Sequence, residues 1–287
     1  MSRFGVPPCM AVLPDGCRRH LQHGPIDIIL EAFGTTAERT RAYDQAWRRF
    51  DSILDELVAE LPLLRRAVDG AAPRPEGPVA RRMQAVCRPH DAVFVTPMAA
   101  VAGAVADAVL AAMVAGRRLR RAYVNNGGDI ALHLAPGQSF TTGIVTLGAD
   151  PALDGVSRIA AASPVRGIAT SGWRGRSFSL GIADSVTVLA ESAAEADVAA
   201  TLIGNAVDVD DPAVCRAPAT DLAPDCELGA RPVTVEVGPL PRRKVERALE
   251  AGAAVARDMA ARGLIVQALL SLQGRSRVAG APQPVAA

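Results

Sequence analysis

Ala122-Tyr123-Val124-Asn125-Asn126-Gly127-Gly128-Asp129-Ile130-Ala131-Leu132-His133-Leu134 is an apolar, strand-like run cut by five polar or glycine residues. Adjacent glycines permit positive φ and let a ligand approach the peptide closely, while the asparagines and Asp129 place donors and acceptors at the same point. A structural kink uses the same residue types, because Asn and Gly are common turn formers. A carboxylate directly before Ile130-Ala131-Leu132 favours binding over a turn role. The run is read as a strand from Tyr123 to Leu134 broken by Asn125 to Asp129, with Phe140 to Thr146 as its partner across Pro136-Gly137.

Downstream, Gly167 to Thr170 and Ser177 to Leu180 flank a second polar stretch, Thr170-Ser171-Gly172-Trp173-Arg174-Gly175-Arg176. It combines hydroxyls, flexible backbone amides, two guanidiniums and one of the two tryptophans, a set suited to a pyrophosphate and a flat ring. The β-branched run Ser185 to Leu189 leads into a helix from Ala193 to Val207. Asp197 and Thr201 are four residues apart on it and share a face, and a carboxylate with a hydroxyl suits an oxygen-liganded cation. Beyond lie a loop with Cys215 and Cys226, a strand at Val233 to Val237 and a helix from Pro241 to Arg262. Leu264 to Leu272 fits either a strand or a helix. Residues 1–275 form one domain or two closely packed lobes, and Gly274 to Ala287 reads as a tail, disordered from Ser276 onward.

Upstream, residues 17–33 read as a hairpin turning at His23-Gly24-Pro25. Trp47, Phe50, Ile53, Leu54, Leu57 and Leu61 have helical spacing within Thr36 to Arg66, with Thr36 as the cap. Pro73 to Pro78 is a linker before a short helix, Val79 to Cys87, on or beside which Arg81, Arg82 and Arg88 form either a solvated basic face or an anion contact. A helix follows Phe94 to Pro97 and runs to Ala115. The mixture lacks a βαβ rhythm and contains neither G-x-G-x-x-G nor G-x-x-x-x-G-K-[ST]. The expected class is α+β, with a central mixed or antiparallel sheet covered by helices.

Composition narrows the function. A net charge of +1, from 31 basic and 30 acidic residues among 287, supplies no field to gather nucleic acid or anionic lipid. Aromatics are 3%, so base-stacking platforms are scarce. The five cysteines lack a C-x-x-C pair, which fits neither a zinc site nor a disulfide framework and suits a reducing cytoplasm. The apolar run Val95 to Ala115 carries Asp107 and is read as a buried helix rather than a membrane span. Val245 to Met259 is amphipathic and suits either a homodimer face or packing within the monomer.

Taken in order, Asn126-Gly127-Gly128-Asp129, Thr170-Ser171-Gly172 and Ala196-Asp197-Val198-Ala199-Ala200-Thr201 resemble the lGGD, TSG and a-D-a-l-a-T motifs of the FAD:protein FMN transferase (ApbE) superfamily. The whole chain resembles an uncharacterised family assigned to it. Ala102-Gly103-Ala104-Val105-Ala106-Asp107 is similar to the transferases' a-K-G-y-a-x-D in its Gly-to-Asp spacing. The resemblance implies an ApbE-like fold, a cleft holding FAD or a related small-molecule nucleotide, and a magnesium-dependent flavin or nucleotidyl transferase activity. It also implies magnesium bound through Asp197, Thr201 and a backbone carbonyl near Val101, and nucleotide contacts from Asn126 to Asp129, Thr170 to Gly172, Arg174 and Arg176. The chain departs from the pattern in three places: Ala102 replaces the lysine, Leu180-Gly181-Ile182-Ala183-Asp184 replaces the histidine-bearing H-x-i-D-P segment, and the N-terminal half lacks the transferases' S-x-x-S and G-x-f-D-p-t signatures. A second implication, from archaeal relatives associated with forming homocysteine from sulfide, is an accessory role in sulfur or one-carbon metabolism with Cys87, Cys215 or Cys226 as the carrier. A third reading, suggested by the missing lysine and histidine, is a non-catalytic binding scaffold.

Overall fold

The computed structural model describes residues 7–146 and 152–280. Its contacts divide into two compact units. The first comprises Met1–Phe140, Ile159–Ile168 and Glu191–Asp197; the second comprises Thr141–Arg158, Ala169–Ala190 and Val198–Ala287.

Five strands build the first unit's sheet: β1 (Cys9–Val12), β2 (Arg19–His23), β3 (Ile26–Phe33), β4 (Arg121–Asn126) and β5 (Asp129–Leu134). They are neighbours in chain order and pair antiparallel. β5 also pairs antiparallel with Gly167 and Ile168, the first residues of β8 (Gly167–Ser171). β3 alternates buried and half-buried residues, as a strand with one covered face should. Its helical cover comes from α1 (Thr36–Ala59) and α4 (Val101–Val114), with α2 (Leu61–Leu64) following α1 and α3 (Pro78–Cys87) packed on α1 and α4. α1 buries Phe50, Ile53, Leu54 and Leu57 of the helically spaced apolar set, together with Tyr43, while Trp47 is half-buried and Leu61 falls in α2 because the expected helix breaks at Glu60. The Tyr43 hydroxyl donates to the Cys17 carbonyl at 2.6 Å and accepts the Ala32 N–H at 3.2 Å, tying α1 to the hairpin.

α4 packs against α1, β4 and β5 and buries Gly103, Ala104, Val105, Ala106, Val109, Leu110 and Met113. Pro97–Val114 is long and apolar enough to cross a membrane, with a mean hydropathy of 1.8. Half of it is buried inside the protein, the place of a core helix.

The second unit contains β9 (Ser185–Ala190), β12 (Gln267–Leu272) and β13 (Arg275–Gly280), in that order and antiparallel. β10 (Val214–Pro218) pairs with β11 (Pro232–Val237), and β6 (Ser139–Thr146) pairs with β7 (Ala152–Ala160). α5 (Ala193–Ala206) passes from the first unit into the second after Asp197; α6 (Ala219–Leu222) and α7 (Arg242–Ala261) complete the chain. Every residue of β9 is buried, which is why its sequence shows no alternation.

The α+β class expected from the sequence is the one the chain adopts. Several local readings differ. The run from Tyr123 to Leu134 is not one broken strand but the hairpin β4–β5, turning at Gly127-Gly128. β6 pairs with β7, so Pro136-Gly137 does not join partners. Thr35 rather than Thr36 caps α1, accepting the Glu38 N–H at 3.3 Å. The end of the chain, read as a tail from Gly274, forms β13 up to Gly280; residues 281–287 lie outside the described residues. Of the stretch from Leu264 to Leu272, Gln267–Leu272 forms β12, and Cys215 lies on β10 rather than in a loop.

Candidate functional site

In the first unit the residues of interest gather at the N-terminal turn of α4, where Val101 is the first helical residue. The Asp197 carboxylate accepts the Gly103 N–H at 2.9 Å and also the Ala102 N–H. These are two of the donors that a helix start leaves without intrahelical partners. The Asn126 side-chain amide donates to the Ala102 carbonyl at 3.0 Å, so the β4–β5 hairpin is anchored to the same turn. Asn126, Ala102, Gly103 and Asp197 therefore form one connected cluster.

Gly103 is small because the helices cross there: a Cβ would lie 2.3 Å from the Ala193 carbonyl oxygen and 2.7 Å from the Ala194 nitrogen. Four residues on, Asp107 accepts the Ala193 and Ala194 N–H groups through its two oxygens, each at 3.0 Å. Ser192 accepts the Glu195 N–H at 3.2 Å, and Arg82 donates to Ser192 at 2.6 Å and pairs with Glu195 at 3.1 Å. The first N–H groups of α5 are thus taken by side chains. Arg82, read in sequence as part of a basic face, is a tether between α3 and α5.

The electrostatics follow from burial. Asp197 is pushed up to about 7, chiefly by desolvation and further by the Asp107 charge, against the lowering effect of the Gly103 and Ala102 N–H groups. Asp107 is raised for the same main reason, opposed by its two backbone donors. Burial also pushes the Cys87 thiol far up, with the Asp197 charge adding to it, and its sulfur meets the Thr96 carbonyl at 3.5 Å. A thiol held protonated and covered is a poor nucleophile. Cys87 therefore does not fit the sulfur carrier that the resemblance offered.

The glycine pair has a conformational cause. Gly127 and Gly128 have φ of 64° and 114°, the backbone of a two-residue hairpin turn, and a Cβ on Gly128 would meet nothing within 4 Å. The Asn125 side-chain oxygen accepts the Gly128 N–H at 2.9 Å. Asn126 and Asp129 face each other across this turn, at 7% and 9% exposure. Asp129 thus has the structural position that sequence reasoning did not find for it, closing the hairpin.

In the second unit, the stretch from Thr170 to Arg176 is organised around Asp184, a residue that sequence reasoning marked only as a departure. Its Oδ1 accepts the Trp173 indole N–H at 3.3 Å and pairs with the Arg174 guanidinium at 3.2 Å, while Oδ2 accepts the Gln273 N–H at 2.6 Å. Arg174 lies over the Trp173 ring, 4.4 Å from its centroid. A Cβ on Gly172 would sit 2.4 Å from the Asp184 carbonyl oxygen, so the loop touches that backbone directly. Thr170 and Thr187 share a hydroxyl hydrogen bond of 2.9 Å. Arg174 is thus tied to contacts within the protein, and both it and Arg176 are exposed to solvent. Thr201, one turn after Asp197 on α5, belongs to this unit, as does Ser171. The signal for Asp184 is a lone carboxylate directly after the apolar, fully buried Ile182-Ala183.

Magnesium calls for hard oxygen ligands, and in the first unit the half-buried Asp197 carboxylate beside the backbone at the start of α4 has that chemistry. Asp197 suits the ion because its environment disfavours an uncompensated negative charge, which a divalent cation would relieve. Among the described residues no group of three or more His, Cys, Asp or Glu side chains could hold a metal. Any cation here would depend on backbone and hydroxyl oxygens beside a single acid.

Several known proteins are similar to this chain. A UPF0280 protein of Methanothrix thermoacetophila is 37% identical over 166 residues, 55% of this chain and 65% of that protein. One from Methanothermobacter thermautotrophicus is 36% identical over 164 residues, covering 57% and 62% of the two chains. The chain thus spans slightly under two thirds of the length of the curated relatives it matches. Among solved structures, the flavin transferase ApbE from Vibrio cholerae aligns over 95% of this chain and 97% of its own at 14% identity, with a TM-score of 0.37. A superposition that loose carries no argument. A family model described as AbpE bacteria matches residues 10–278, nearly the full sequence, and the chain belongs to that family.

Proposed function

We propose that this protein binds a flavin or another pyrophosphate-bearing nucleotide together with magnesium. The observation that carries this reading is the Asp197 carboxylate, held by the first N–H groups of α4 in surroundings that push it up to about 7 and adjoined by the Asn126 anchor. A divalent cation at Asp197, with the Val101 carbonyl and Thr201 as further oxygen ligands, would neutralise phosphate charge and polarise a phosphorus centre. In the first unit Asn126 to Asp129 are the proposed nucleotide contacts. Those of the second are Thr170, Ser171, Gly172 and the exposed Arg176, with Arg174 acting through Trp173 and Asp184. Here the lysine position is Ala102 and no histidine stands between Leu180 and Asp184, so binding, rather than group transfer, is the proposed activity.

Calorimetric titration of the full chain with FAD, FMN, ADP and ATP, each with and without magnesium, tests this. At least one should bind more tightly with the ion, and Asp197→Ala should remove that dependence. No heat with any of the four would end the proposal. Binding that ignores both magnesium and Asp197→Ala would remove the metal from it.

A further inference from the structure

α4 and α5 cap each other. Asp107 of α4 takes the N–H groups of Ala193 and Ala194 at the start of α5, while Asp197 of α5 takes those of Gly103 and Ala102 at the start of α4. Gly103 allows the crossing, since any side chain there would run into the Ala193 carbonyl. A carboxylate at a helix N-terminus is favoured by both the free N–H groups and the helix dipole, so each acid stabilises the element that carries the other. The two contacts close a ring: Asp107 to the first turn of α5, along α5 to Asp197, to the first turn of α4, and along α4 back to Asp107. Within such a ring the position of one carboxylate depends on the other.

We infer that Asp107 is a positioning residue for Asp197. By pinning Ala193 and Ala194, one turn before Asp197, it fixes where the Asp197 oxygens stand relative to Val101, Ala102 and Gly103. Both Asp107 oxygens are spent on backbone N–H groups, so it acts through α5 rather than as a ligand. The consequence for metal affinity rests on the magnesium reading above; the coupling between the two acids does not.

The test uses the full chain and Mn2+ or Mg2+ alone as the probe, with affinity measured by calorimetry and folding by circular dichroism. Asp107→Asn should weaken metal binding at least tenfold while the spectrum stays native. Asp107→Glu, which keeps the charge and shifts the carboxylate, should do the same and serves if the first variant does not fold. Ser192→Ala removes the ordinary cap of α5 and leaves the ring intact, so its affinity should match the wild type. Unchanged affinity in the Asp107 variants overturns the inference, as does an equal loss in Ser192→Ala, which would reduce the effect to helix fraying. In chelator, urea unfolding of Asp107→Asn, Asp197→Asn and the double variant should show a combined loss smaller than the sum of the two. If the wild type binds neither ion, the magnesium reading fails and this cycle decides alone: a combined loss smaller than the sum supports the inference, and a loss equal to or larger than the sum overturns it.

Discussion

At the scale of single residues, the acids at the α4–α5 crossing make the sharpest claims. The folded chain holds the Asp197 proton up to about 7 against an ordinary 3.8, so between those values the folded state binds more protons than the unfolded one. The stability this group contributes is complete below about pH 4, declines as pH rises, and is lost above about pH 7. Urea midpoints at stepped pH in chelator should therefore fall over that window more steeply in the wild type than in Asp197→Asn. Saturating magnesium should flatten the wild-type slope, because the ion supplies the missing charge. Gly103→Ala puts a methyl onto the backbone of Ala193, a contact that no rotamer change relieves. Its cost should be about 3 kcal/mol or more in thermal or urea unfolding, at the upper end of overpacking effects.

At the scale of elements, the β4–β5 hairpin separates conformational from functional demands on glycine. Gly128 has φ of 114° with open space around its Cα, so alanine there is penalised by backbone conformation alone, by about 1 kcal/mol. Gly128→Ala should lower the unfolding midpoint slightly. A fall in nucleotide affinity beyond that modest loss would show that the turn also faces the ligand. In the second unit, Asp184 holds Trp173, Arg174 and the β12–β13 turn through Gln273. Asp184→Asn keeps the shape but removes the ion pair and an acceptor for a backbone N–H. It should shift the fluorescence of Trp173 and cost about 2 kcal/mol, since it weakens hydrogen bonds to a nearly buried charge. Trp47→Phe serves as the background that isolates the Trp173 signal.

At the scale of the whole molecule, the cysteines give an accessibility map. Cys9 and Cys215 are exposed, Cys17 and Cys226 half-exposed, and Cys87 buried with its thiol pushed far up. A colorimetric thiol reagent should modify Cys9 and Cys215 first and reach Cys87 only on unfolding. Rapid native labelling of Cys87 would contradict its placement and reopen the sulfur-carrier role for that residue. With Cys87 excluded, a sulfur-handling role would fall to Cys215 or Cys226.

The sequence by itself determined the first hairpin, the amphipathic helices α1 and α7, the β-branched strand β9 and the family, because each is written in local periodicity, turn chemistry or motif order. The Gly103-to-Asp107 spacing was visible too, as a pattern without a cause. Tertiary structure alone decided that β6 pairs with β7, that the chain from Arg275 adds a strand, and that Asp184 organises the loop from Thr170 to Arg176. It also decided that Asp107 and Asp197, ninety residues apart in number, cap each other's helices. The reason is physical: a helix start needs acceptors for its unpaired N–H groups, and only the packed chain shows which distant carboxylate supplies them.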